Sequence, residues 1–73
     1  MELAAFDKVT ITQFNEHLNA RVIGIVPESD GSKTYTVQSL LKDFSASKNG
    51  SRIFKINSKQ IENKSVKIER HVL

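Results

Sequence analysis

A chain of 73 residues with 38% hydrophobic content, three glycines and one proline has room for one thin core, so it reads as a single small domain spanning residues 1–73. It has no cysteine, which excludes a disulfide framework, a thiolate zinc site and a cysteine nucleophile together. No run approaches the roughly 18 apolar residues of a membrane span, and the start, MELAAFDKV, lacks the basic and apolar regions of a secretory signal; the expectation is a cytoplasmic protein with no membrane partner. The net charge of +3 is uneven. Residues 1–36 carry three cations against five carboxylates, a net −2, whereas residues 37–73 carry eight cations against three carboxylates, a net +5.

In chain order, Thr10 and Gln13 have the spacing of a helical capping box, and Ile11, Phe14 and Leu18 then share one helical face. This predicts a short helix over 11–19, with a strand as the competing reading because Val9, Ile11 and Gln13 alternate among β-branched neighbours. Arg21 to Val26, RVIGIV, is a β-branched strand in which Gly24 suggests a bulge. Pro27 ends that strand, Asp30-Gly31 is a turn dipeptide, and residues 21–37 read as a hairpin around an exposed, mobile loop, PESDGSK.

Val37, Leu40, Leu41 and Phe44 recur at i, i+3, i+4 and i+7, with Thr36 placed as an N-cap and Gly50 as a left-handed exit. The pattern predicts a central helix over 36–50. Ser51 to Ile56 follows as a strand with Phe54 and Ile56 on one face, and Asn57 is positioned to cap a single helical turn, SKQIE, with Gln60 completing the capping box and Ile61 turned inward. Ser65 to Val72 alternates as a half-buried strand, Val66, Ile68 and Val72 inward, with Arg70 on the apolar side and forced to reach for solvent.

These elements predict an α+β fold: a mainly antiparallel sheet of about four strands with one or two short helices packed on one face. The alternative is a small SH3-like barrel, in which residues 9–14 become a strand and the turn at 58–62 joins the last two strands.

Motifs for chemistry are lacking. His17 and His71 have no partner at metal-ligand spacing. No serine stands in a nucleophile elbow, and three isolated glycines cannot form a phosphate-binding loop. The expectation is a non-enzymatic chain with no cofactor, no metal and no small-molecule substrate. Two binding readings remain.

In the leading one the chain is a protein-interaction module, for instance a regulator or inhibitor that occludes a larger partner, or a homodimer. Its contact surface is then expected at Ile23, Ile25, Glu28, Asp30 and Lys33, where two apolar strand residues adjoin the exposed loop. In the alternative, the basic C-terminal half binds nucleic acid through Arg52, Lys55, Lys59, Lys64, Lys67 and Arg70, provided the last two strands pair as neighbours. Stacking is the weak point of that reading, since Phe6, Phe14, Phe44 and Phe54 all fit apolar positions, with Phe54 expected in the core, and Tyr35 is the only partly polar aromatic.

Overall fold

The computed structural model describes residues 3–48 and 50–71. Alternation of period two, not of 3.6, organises nearly all of it. Five strands form one antiparallel sheet: β1 (Lys8–Gln13), β2 (Glu16–Pro27), β3 (Lys33–Ser39), β4 (Ile53–Asn57) and β5 (Lys67–His71), in the order β4-β3-β2-β1-β5. A single turn of helix, α1 (Ser58–Glu62), lies between β4 and β5. The architecture is therefore a small α+β domain, with five strands in place of the four expected.

Both longer helices predicted from sequence are replaced by strand and loop. At 11–19, β1 and β2 form a hairpin in which Ile11 lies opposite Leu18 and Thr10 opposite Asn19. Ile11 and Leu18, seven apart, satisfy a helical face and a cross-strand pair equally well, and the β-branched run Val9-Thr10-Ile11-Thr12 decides for the strand. At 36–50, residues up to Ser39 belong to β3 and residues 40–48 form a loop. Tyr35 and Val37 alternate inward between Thr34, Thr36 and Gln38, so Val37 is a strand residue. Beyond it, Asp43, Ser45 and Gly50 are poor helix formers, and Asp43 Oδ1 instead accepts from the Ser45 amide at 3.0 Å and the Ser45 hydroxyl at 2.6 Å, closing a turn. Leu41, an anchor of the predicted helix, is 48% exposed.

One face of the sheet holds the core: Leu3, Val9, Ile11, Ala20, Val22, Tyr35, Val37, Ile56, Val66 and Ile68. Each of the large aliphatic side chains stabilises the fold by about 1.5–3 kcal/mol on burial. The aromatic assignment is inverted. Tyr35, expected to be the polar exception, is 2% exposed at the centre of the core, while Phe6 and Phe14 are 72% and 88% exposed and Phe44 and Phe54 are half-buried.

The bulge foreseen at Gly24 is present, with the register shifting between Val22 and Gly24. Ile23 is the extra residue, and Ile25 returns to the inner face opposite Tyr35. The short helix is also as expected: the Asn57 side chain accepts from the Lys59 amide at 2.9 Å, Gln60 Oε1 accepts from the Asn57 amide at 2.9 Å, and Ile61 packs on the core. The chain then passes through buried Val66 into β5. Val72, read as an inward residue of that strand, lies outside the described residues. Among the described residues no helix is long and apolar enough to cross a membrane.

Candidate functional site

The cations proposed as a polyanion track do not lie on neighbouring strands. β4 and β5 occupy opposite edges of the sheet, with β3, β2 and β1 between them, because β5 runs back along the free edge of β1. Lys55 therefore stands on one edge strand opposite Thr36, and Lys67 on the other opposite Thr12. Lys59 forms an ion pair with Asp30, and Arg70 lies 3.8 Å from the Asp7 carboxylate. The latter fits the expectation that Arg70, on the apolar parity of its strand, must turn outward. Lys64 sits at a positive φ in the turn after α1. The condition on which the track depended, pairing of the last two strands, is not met.

The residues proposed for protein contact are also separated. The bulge divides Ile23, 37% exposed, from Ile25, which packs against the core, so these two do not form an exposed pair. The loop after β2 is exposed but internally tied. Glu28 and Ser32 close it by a 2.8 Å backbone bond, Glu28 accepts from the Thr34 hydroxyl at 2.7 Å, and Asp30 Oδ1 accepts from the Ser32 amide and hydroxyl at 2.9 and 2.6 Å. Lys33 donates its amide to the Ser58 hydroxyl at 2.9 Å. The Lys59 ammonium, together with the two bonds from Ser32, holds the Asp30 carboxyl well below the usual carboxylate range, and Asp30 in turn raises Lys59. This corner is a latch between the loop and α1.

Both histidines are engaged on the outer face. The Thr10 hydroxyl donates to Asn19 Oδ1 at 3.0 Å, so its contact with His71 Nε2 at 2.7 Å requires that nitrogen to carry the proton and donate. Asn19 Nδ2 reaches the carbonyl of Lys42 at 3.2 Å, and the Phe44 ring meets His71 edge-on at 5.0 Å between centroids. The 40–48 loop is thereby fastened to the sheet. His17 bonds to Thr12 at 2.9 Å. Among the described residues no group of three metal-capable side chains assembles.

A smaller cavity of about 160 Å³ lies at the corner between the loop and α1, lined by Asp30, Gly31, Ser32, Ser58, Lys59 and Glu62, and a larger one opens at the end of the sheet where β1 turns into β2. A groove of about 220 Å³ lies there, floored by Ile11, Leu18 and Phe54 and rimmed by Gln13, Phe14, Glu16 and Arg52. Residues of the hairpin and of the start of β4 line it together, so the sheet curls to bring β4 towards the hairpin. The Arg52 guanidinium lies 5.8 Å from the Phe54 ring centroid, within cation–π range.

The hairpin tip itself is unusual. Phe14 and Asn15 have φ of 52° and 64°, the pattern of a type I′ turn, which favours Asn-Gly because side chains beyond Asn and Asp are strained there. A phenylalanine in this place is strained by about 1–2 kcal/mol and leaves its ring 88% exposed. Phe6, at φ 67° and 72% exposed, shares the left-handed backbone and the exposure, but it does not line this groove.

This site was not foreseen from sequence. The signal available was Phe14-Asn15 between two alternating runs, VTITQ and EHLNARV, with Asn15 the turn former; the absence of glycine hid it. Comparison with protein-family models, with curated proteins and with solved structures finds no match to this chain.

Proposed function

We propose that the chain is a non-enzymatic protein-interaction module whose contact site is the Phe14 end of the sheet. The observation that carries the reading is Phe14, an almost fully exposed aromatic ring in a left-handed backbone conformation at the rim of an apolar groove. Contact residues that dominate protein interfaces are aromatic and arginine side chains seated in small pockets, and this rim supplies Phe14 and Arg52. The groove, at about 220 Å³, is below the roughly 300 Å³ at which small-molecule sites begin, so it suits one inserted side chain better than a substrate. The strand order, with β5 returning to the free edge of β1 by way of a one-turn helix, supports reading the curled sheet as a small SH3-like barrel with the groove at one mouth. Such a module regulates or inhibits by covering a surface of its partner.

The nucleic-acid reading keeps one specific observation in its favour: Arg52 stacked on Phe54 beside exposed Phe14 resembles a base-stacking platform. The separation of Lys55 from Lys67, and the pairing of Lys59 with Asp30, leave that platform without a phosphate track.

Replacement of Phe14 by the photocrosslinker p-benzoylphenylalanine in the expressing cell tests both readings, since the exposed ring can be enlarged without disturbing the core. The expected product is a discrete, irradiation-dependent protein adduct. Crosslinking to nucleic acid alone would transfer the site to the alternative reading, and absence of any adduct would remove Phe14 as a contact residue.

A further inference from the structure

We propose that the partner is a second copy of this chain: two protomers meet about a twofold axis, each Phe14 ring entering the other's groove while Arg52 of each faces Glu16 of the other. The inference rests on the reading of the Phe14 end as the contact site and names the occupant.

A twofold interface requires a patch complementary to itself, with projection and receptacle on the same surface. The hairpin end has both. Phe14 stands at the rim of a groove that its own ring, 88% exposed, does not fill. Two such rings passing each other near the axis also gain the offset contact that aromatic pairs favour.

The rim charges point the same way. It carries one cation, Arg52, and one carboxylate, Glu16, and among the described residues neither has an ion-pair partner within the protomer. A partner surface of one sign would attract one of these and repel the other. A copy rotated by 180° presents Glu16 to Arg52 and Arg52 to Glu16, so both contacts are attractive. A 73-residue domain with a thin core also gains stability from association.

Sedimentation equilibrium of the full chain over micromolar to millimolar concentrations tests the proposal. A reversible monomer–dimer equilibrium is expected, with Phe14→Ser raising the dissociation constant at least about tenfold, the effect of removing a dominant contact residue. Because Phe14→Ser alters a turn, charge exchange supplies an independent test. Glu16→Lys and Arg52→Glu should each weaken self-association, whereas an equimolar mixture of the two should form a heterodimer at least as tight as the native dimer, since Arg52 then faces native Glu16 and Lys at 16 faces Glu at 52. A native chain that stays monomeric throughout the range, or a dimer indifferent to all three substitutions, overturns the proposal. The two readings fail separately. A photocrosslink from position 14 to a different protein, with the chain monomeric, sinks the homodimer and leaves the interaction site standing; no protein adduct of any kind sinks both.

Discussion

The two ends of the sheet solve the same problem in opposite ways. Where β3 begins and β4 ends, loop and helix are tied together: α1 is capped by Asn57, Lys59 pairs with Asp30, the Asn57 amide group donates to Ser32 Oγ at 3.1 Å, and Ile61 packs on the core. Where β1 turns into β2, none of the described residues fills the groove, and a strained Phe14 stands among its lining residues. The first end spends its polar residues on closing the domain. The second keeps an aromatic ring and a charge of each sign exposed, the features on which the proposed contact site rests.

Substitutions can break this comparison. The largest effect is expected at the core that both ends share: Tyr35→Ala should cost about 3–5 kcal/mol in urea unfolding, close to the whole stability of so small a domain, because Tyr35 is 2% exposed between its cross-strand partners Ile25 and Ile56. A small loss would mean that the core lies elsewhere. The open end should respond with the opposite sign. Replacing Phe14-Asn15 by Asn-Gly installs the residues a type I′ turn prefers, and is expected to raise stability by about 1 kcal/mol, read at concentrations where the native chain is monomeric, and to abolish the proposed self-association at the higher concentrations where the native chain dimerises. A turn that gains nothing would show that Phe14 is not strained.

Leu41→Ala separates the strand-and-loop architecture from the helical one. At 48% exposure it should cost less than about 1 kcal/mol, whereas an anchor of a core helix would cost about 2–5 kcal/mol.

The smallest effect is at the closed end. Asp30 has a lowered pKa in the folded protein, so the protonated form is disfavoured there, and the latch stabilises the fold above the ordinary carboxylate pKa of about 3.9. That contribution is lost as pH falls through the lower folded value. Asp30→Asn keeps the acceptor for Ser32 but not the ion pair with Lys59, so its midpoint should lie slightly below the native one at pH 7 and converge with it in acid. Equal midpoints at pH 7 would show that the exposed pair contributes nothing.

Local chemistry was legible where it was complete within a few residues. The capping box of Asn57 and Gln60, the bulge at Gly24, the turn at Asp30-Gly31 and the inward alternation of Val66 and Ile68 all depend on neighbours in the chain, and all are present. The helical stripe from Val37 to Phe44 misled because four apolar residues at helical spacing also arise when a strand runs into a loop. Val37 belongs to the first and Leu41 and Phe44 to the second. Phe14 was misplaced for a related reason, since a phenylalanine between alternating runs reads as core until the turn that exposes it is recognised.

By itself the sequence determined the size of the core, the absence of disulfides and thiolate ligands, the single capped turn at 58–62 and the strand character of the β-branched runs, because each follows from residue type or from contacts between near neighbours. Tertiary structure alone decided that β5 lies beside β1 instead of β4, which scatters the cations over two edges, and that Arg52 and Phe54 meet Phe14 and Glu16 across about forty residues of chain. Strand order is set by which long-range pairing buries the most apolar surface, and no local pattern encodes it.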